Sequence, residues 1–356
     1  MNSNIKDLSL EELEAYLVER KEPAYRAKQI WQWLFQKRAA SFSEMTNLSA
    51  SLRGRLAEDF SISRLKTLRL ATSIDETKKF LFGLSDGHSI ESVLIPEVKR
   101  LTLCISTQAG CGFGCAFCAT AVLGLKRNLR ASEILDQILE ASRSLAPDQR
   151  ITHVVLMGMG EPLANYAQTV KSLNVMTDTS WGIGISPRRI TLSTVGLVPQ
   201  IHRLMEETKV NLAISLHAPT DELRGQLMPV NRKYSLQELM ECCRALPIPR
   251  RKRITFEYVL LRGVNDSIDA AEALYQLLRG IRCKVNIIPF NPHSGSRYQR
   301  PDDVEVARFE QVLQMHGLQI NIRRPRGDDI QAACGQLQGE EFQQRQFPTS
   351  AAAWGQ

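Results

Sequence analysis

Three cysteines crowd one short stretch of the chain, Gly110-Cys111-Gly112-Phe113-Gly114-Cys115-Ala116-Phe117-Cys118. Thiolates spaced this way on a glycine-rich loop can converge on one metal centre, because glycine lets the backbone wrap closely while the sulfurs turn inward. A fourth ligand is missing nearby. Structural zinc asks for four closed ligands, usually as two separated CxxC pairs, and neither Cys104 nor His153 is spaced as the second half of such a pair. A four-iron cluster held by three cysteines would leave one iron open to a small molecule.

Three further residues carry reactive groups in places that need explaining. Cys334 lies far along the chain in a loop with Gly and Asp, where it is either a small buried hydrophobe or a working thiol. Cys104 falls in the apolar run Leu101 to Ile105 and reads as core on periodicity. Glu91 alternates onto one face with Val93 and Ile95 in Ile90-Glu91-Ser92-Val93-Leu94-Ile95-Pro96. A carboxylate among apolar neighbours is a candidate general base, and an exposed glutamate on an edge strand is the alternative. Cys242, Cys243 and Cys283 read as core.

The elements that must position these groups follow from hydrophobic period. From residue 101 onward short apolar runs at Leu101–Ile105, His153–Met157, Arg189–Thr194, Asn211–Ser215, Arg253–Leu260 and Lys284–Pro289 alternate with helical stretches from Ser132 and near Tyr166–Met176. That alternation predicts an α/β fold of parallel βα units closing into a barrel. Polar or glycine-rich segments follow the runs: Gly158-Met159-Gly160-Glu161-Pro162, Ser193-Thr194-Val195-Gly196, Ser215-Leu216-His217-Ala218 and Asn291-Pro292-His293. In a parallel barrel these ends share the face where ligands bind. Ahead of the barrel, residues 1–63 read as a helical module, with Leu13, Tyr16 and Leu17 on one face and Ile30, Trp31, Leu34 and Phe35 on another. Residues 64–100 alternate around an Asp86-Gly87 turn as a β connector, 101–337 hold the barrel and the Cys334 loop, and 338–356 form a polar tail. The aromatics Trp31, Trp33 and Phe35 could touch a partner, but their helical spacing favours core.

With 356 residues, 43% apolar and 23% charged, the chain is neither disordered nor a membrane protein in composition,. The N-terminus lacks a signal peptide, which points to the reducing cytoplasm and away from disulfides. The formal charge of +7 is a mild argument for an anionic partner. Basic pairs and runs at Lys126-Arg127, Arg188-Arg189, Arg250 to Arg253 and Arg323-Arg324-Pro325-Arg326 are either solvated surface or phosphate contacts.

The motif Cys111-xxx-Cys115-x-Phe117-Cys118, joined to Gly158-Met159-Gly160-Glu161-Pro162 after the next strand, resembles the signature of the radical S-adenosylmethionine (SAM) enzymes. Gly327-Asp328-Asp329-Ile330-Gln331-Ala332-Ala333-Cys334-Gly335-Gln336-Leu337, Ser193-Thr194-Val195-Gly196, Ser215-Leu216-His217 and Ile288-Pro289-Phe290-Asn291-Pro292 narrow the likeness to the RlmN/Cfr family, from the helical module to about Leu337. This resemblance implies a partial (βα)6 barrel, a [4Fe-4S] cluster on Cys111, Cys115 and Cys118, and SAM lined by Gly160, Glu161, Ser193, Ser215, Leu216, His217 and Asn291. It implies Cys334 as methyl carrier, Cys104 as the second redox-active cysteine, and Glu91 as a proton acceptor, with Cys104 the other candidate for that step. The implied reaction places a methyl on C2 of an adenosine in the peptidyl-transferase centre of 23S rRNA and of an adenosine in tRNA.

C2 of adenine is electron-poor, so polar methyl transfer is unfavourable and a radical route is needed. Two SAM molecules would be used per methyl: one loads Cys334, the second yields a radical that takes hydrogen from the S-methyl group. The carbon radical adds to C2, and Cys104 then attacks the Cys334 sulfur, leaving a disulfide for a cellular reductant to open. A flavodoxin- or ferredoxin-type protein would donate the electron, with no membrane partner. The family's other branch methylates C8 of the same rRNA adenosine; Pro162 after Glu161 and Arg324-Pro325-Arg326-Gly327-Asp328 favour C2. A non-catalytic RNA-binding protein with a structural metal is the reading from another class.

Overall fold

A computed structural model of the chain describes residues 2–338. The expected polar tail lies outside the described residues from 339 onward. Ser9 opens the first helix, α1 (Leu10–Glu19), with a capping box: its hydroxyl accepts the Glu12 N–H, and the Glu12 carboxylate takes the Ser9 N–H,. Next come α2 (Arg26–Trp31), a π-helical turn over Gln32–Gln36, and α3 (Ala50–Asp59). Leu13, Leu17, Ile30, Trp31, Leu34 and Phe35 are buried, so the expected apolar faces form the core of this module. Trp33 is half-buried, with the Lys37 ammonium 3.7 Å from its ring centre.

Ten strands then form one sheet in which every strand lies beside its predecessor. The first four, β1 (Lys66–Thr72), β2 (Lys78–Gly83), β3 (Ser89–Glu97) and β4 (Arg100–Cys104), make an antiparallel meander, with the expected Asp86-Gly87 turn between β2 and β3. From β4 onward the pairing is parallel: β5 (His153–Leu156), β6 (Ile190–Thr194), β7 (Asn211–Ser215), β8 (Ile254–Leu260), β9 (Cys283–Pro289) and β10 (Ile320–Ile322). The crossovers carry α4 (Ala131–Arg143), α5 (Tyr166–Thr177), α6 (Val198–Glu207), α7 (Leu236–Ala245), α8 (Ile268–Leu278) and α9 (Asp303–Met315), one after each strand from β4 to β9. These are six βα units of a barrel whose sheet stays open, since β1 and β10 are its two edges. The central strands are covered on both faces; every residue of β8 is buried, the mark of a parallel sheet under helices.

α4 is buried along most of its circumference because it lies between the sheet and the helical module. On its inner side Gln137 donates to the Ser106 carbonyl at 2.9 Å and accepts from the Ser92 hydroxyl and the Ser106 N–H, each at 2.7 Å. On its outer side Asp136 is ion-paired with Lys6, both 3% exposed, and Glu140 takes both arms of the Arg64 guanidinium at 2.7 Å. Charges enter such a place only with partners. Among the described residues no helix is long and apolar enough to cross a membrane.

Candidate active site

The cysteine loop leaves the end of β4 through a small hairpin, in which Gln108–Gly110 pairs with Leu125–Asn128. Gly110 adopts φ +74, and a Cβ there would fall 1.9 Å from the Gly124 carbonyl, which itself accepts the Cys111 N–H at 3.1 Å. Only glycine permits that approach. Further along, Ala116 N–H donates to the Leu227 carbonyl at 2.9 Å and Cys118 N–H to Cys115 at 3.2 Å, so backbone bonds hold the loop at several points. Burial pushes the Cys111 thiol up to about 11 and the Cys115 thiol higher still, and Cys118 adds to both shifts by its charge. All three are free thiols within electrostatic reach of one another.

Among the described residues no three His, Cys, Asp or Glu side chains could hold one metal ion together. Three soft thiolate donors on a loop held wrapped by its own backbone hydrogen bonds fit an iron–sulfur cluster, whose irons take thiolate ligands.

Beside the loop, the carboxyl ends of β5 to β9 surround a cavity. Phe117, Cys118, Gly160, Glu161, Ser193, Ser215, His217, Asn291 and Cys334 line it. Gly160 (φ +97) comes so close to Gln108 that a Cβ would meet that side chain at 2.5 Å. Glu161 is 2% exposed; its carboxylate accepts the N–H of Val195 at 2.8 Å and of Leu163 at 3.0 Å. Burial nevertheless pushes it up to about 7. His217, at φ +60, accepts the Val259 N–H on Nδ1 at 3.0 Å and packs edge-on to Phe117 at 4.7 Å. Burial, helped by Arg224, lowers it to about 3, so it is a neutral ring. Leu216 is the exception among the expected SAM residues: its side chain is wholly buried and absent from the cavity wall.

Cys334 is exposed on its loop and Cys104 is buried at the end of β4, and the two line one small cavity together with Cys118. Burial pushes the Cys104 thiol up to about 12, with the neighbouring Cys334 adding to it. Glu91 shares the inward face with Val93, as alternation required, and is 1% exposed on an interior strand, so the exposed-edge alternative fails. Its carboxylate lies off the cavity walls, 3.3 Å from the Lys79 ammonium, and accepts the Gln338 N–H at 2.8 Å.

Three residues escaped the sequence reading as parts of the site. Arg224 is fully buried and donates to the carbonyls of Val195 (2.7 Å), Ser215 (3.1 Å) and Leu216 (3.2 Å), clamping two strand ends. Nothing in Asp221–Leu227 distinguishes it from a surface arginine. Glu257 on β8 is buried, accepts from Asn286 at 2.8 Å, and is raised by that burial; a lone charge inside Ile254–Leu260 was a visible signal. Arg323, counted with a surface cluster, is half-buried and lines the same cavities as Cys334.

Known proteins resemble the chain over most of its length. Residues 3–62 match the ribosomal RNA large subunit methyltransferase N-terminal domain, and residues 105–277 match the radical SAM superfamily. A dual-specificity RNA methyltransferase RlmN from Desulfosudis oleivorans is 52% identical over 88% of this chain and 84% of its own length. One from Syntrophobacter fumaroxidans is 49% identical over 94% of this chain and 98% of its own. The crystal structure of a radical SAM methyltransferase from Sphaerobacter thermophilus superposes with a TM-score of 0.89 at 44% identity, covering 95% of this chain and 99% of that one. With such identity extending over nearly the full length, the chain belongs to the RlmN family of radical SAM RNA methyltransferases.

Proposed function

We propose that this enzyme methylates C2 of an adenosine in the peptidyl-transferase centre of 23S rRNA, and of an adenosine in tRNA, through a methylated Cys334. The observation that carries the reading is that Cys334, Cys104 and Cys118 meet at one cavity. Cys111, Cys115 and Cys118 would hold a [4Fe-4S] cluster, and Gly160, Glu161, Ser193, Ser215, His217 and Asn291 would line SAM, with Leu216 contributing backbone. When bound, the cluster supplies the single electron, drawn from a flavodoxin- or ferredoxin-type donor in the cytoplasm, that cleaves SAM to a 5′-deoxyadenosyl radical.

The residues of the chain divide the remaining work. The Cys334 thiolate takes the methyl group of one SAM by displacement and presents it to the radical formed from a second. The carbon so activated bonds to C2, and the adduct radical would then give up the C2 proton to a base and one electron to the oxidised cluster, leaving the carbon bonded to both C2 and the Cys334 sulfur. Cys104 attacks the Cys334 sulfur, the carbon–sulfur bond breaks, and the disulfide formed is reopened by a thiol reductant. Removal of the C2 proton falls to Glu91 or to Cys104: Cys104 lines the cavity with Cys334 but burial holds its thiol neutral, whereas Glu91 lies beside that cavity, next to Lys79, and holds the end of the Cys334 loop by accepting the Gln338 N–H. Reconstituted enzyme with unmodified RNA, followed by nucleoside mass spectrometry, is expected to give 2-methyladenosine. Only 8-methyladenosine would assign the enzyme to the C8 branch, and no methylated base would end the proposal.

A further inference from the structure

A third cavity, of ≈ 390 Å³, reaches Cys334 from the opposite end of the barrel to the cavity lined by the expected SAM residues. Its walls are the opening residues of the parallel strands, among them Thr102, His153, Thr191, Thr255 and Lys284. The two cavities share Met157, Glu257, Ile288, Asn291, Arg323 and Cys334, so Cys334 stands in the partition between them. The mouth at the amino end is ringed by cations. Arg100 is paired with Glu97 at 2.7 Å and Arg326 with Asp75 at 3.5 Å, but Arg189, Lys284 and Arg324 make no ion pair among the described residues. Of the two carboxylates in the walls, Glu97 is taken by Arg100, and Glu257 is buried, accepts from Asn286 and faces the charges of Arg323 and Lys284, which leaves Arg189 and Arg324 at the rim without a carboxylate partner among the described residues. Unneutralised like charges around one opening attract an anion of matching shape.

Resting on the functional reading above, we propose that this mouth is the RNA entrance. The target adenosine, turned out of its strand, passes through it to Cys334, while the phosphates on either side of that nucleotide lie on Arg189, Lys284 and Arg324. The proposed SAM residues line the cavity at the carboxyl end of the barrel, and the mouth at the other end leads a base to the methyl on Cys334 without crossing them. Extruding a base costs least in single-stranded or loop RNA, and its flanking phosphates then need cations at the rim.

The test uses the reconstituted holoenzyme with Arg189→Gln, Lys284→Gln and Arg324→Gln together and singly, and an unmodified tRNA anticodon stem-loop as the probe. Arg189 and Arg324 are exposed and Lys284 half-buried, so the fold is expected to persist; if the triple variant fails to fold, the single variants decide. Binding is followed by fluorescence anisotropy over roughly 50 to 200 mM salt. Each lost single-strand phosphate contact lowers the log–log salt slope by roughly 0.7, so the triple variant should lose about 2. Methyl loading of Cys334 from SAM, read by intact-protein mass, should stay at the wild-type level, because it needs no RNA. A wild-type slope in the triple variant overturns the proposal, and so does a parallel loss of Cys334 methylation, which would place these residues with the cofactor. An unchanged slope combined with slower reopening of the Cys104–Cys334 disulfide by glutathione would make the mouth a site for an anionic thiol and also overturn it. Wild-type enzyme that does not bind the RNA at all would instead bring down the functional reading, and the proposal with it.

Discussion

Gln336 ties the Cys334 loop to the turn after β9 by donating from Nε2 to the Pro292 carbonyl at 2.8 Å. Its Oε1 accepts the Ala333 N–H at 3.1 Å, so one buried amide braces both sides of Cys334. Asn291, next to Pro292, donates to the Cys334 carbonyl at 3.3 Å. The exposed thiol is therefore aimed by a side chain that never touches it.

Gln336→Ala removes that brace and leaves buried partners unsatisfied, at a cost of about 1–3 kcal/mol borne by this loop. Methylation of Cys334 in the purified protein should fall several-fold by intact mass, while iron and sulfide per chain remain at wild-type values, since Gln336 makes no bond to Cys111, Cys115 or Cys118. A matching fall in iron would show that the brace serves the whole site and not the thiol.

The buried Lys6–Asp136 pair fastens the N-terminal segment to α4, and Lys6 also donates to the Ser63 carbonyl at 2.7 Å. Lys6→Met strands a carboxylate in the interior, which typically costs about 3–5 kcal/mol. Urea unfolding should register that loss, and the double variant Lys6→Met, Asp136→Leu should recover most of it. A double variant no more stable than the single one would mean that the lysine stem, and not the charge, does the fastening.

Much of this architecture was legible because its physics is local. The strands from β4 to β9 lie within a residue or so of the apolar runs, since strands buried on both faces read as unbroken hydrophobic stretches. β10 was missed: Ile320–Ile322 is short and two of its three residues are exposed. The cysteine loop was legible from spacing alone, as only glycine permits the approach at Gly110. Arg224 was not, because its partners are carbonyls of two strand ends brought together only by the parallel sheet. Arg323 was misplaced for a related reason: its neighbours Arg324 and Arg326 are exposed as a basic run suggests, while Arg323, just after β10, is half-buried in the walls of the cavities that Cys334 lines.

Glu161 sets a pH dependence. Burial raises its carboxyl from 4.5 to about 7, against the pull of the Val195 and Leu163 N–H groups. The folded chain thus holds a proton there that the unfolded chain releases, so this group's contribution to stability is full below about 4.5 and is lost as pH rises towards 7. The ammonium of SAM would favour the ionised form. Affinity for SAM should therefore rise about tenfold from pH 6 to pH 8, following the ionised fraction of a group of this pKa. Calorimetry on Glu161→Gln should give weaker binding with that rise removed. A rise that persists in the variant would assign the titration to another group.

The two special cysteines differ in setting, and that difference separates their order of action. Cys334 is exposed on a braced loop at the junction of two cavities, and in the proposed mechanism it takes a methyl group before any RNA arrives. Cys104 is buried behind it on β4, its thiol held neutral by burial, so it is a poor nucleophile until the chemistry at Cys334 calls on it,. Cys334→Ala should leave protein and RNA both unmethylated, with no covalent complex. Cys104→Ala should still load the methyl, bond to the adenine and then stall, because the sulfur that would release the product is gone. Denaturing gels of protein expressed in cells, with and without ribonuclease, distinguish the two: a band shifted by bound RNA is expected for Cys104→Ala alone. A shifted band with Cys334→Ala, or normal turnover with Cys104→Ala, would reverse the assignment of roles.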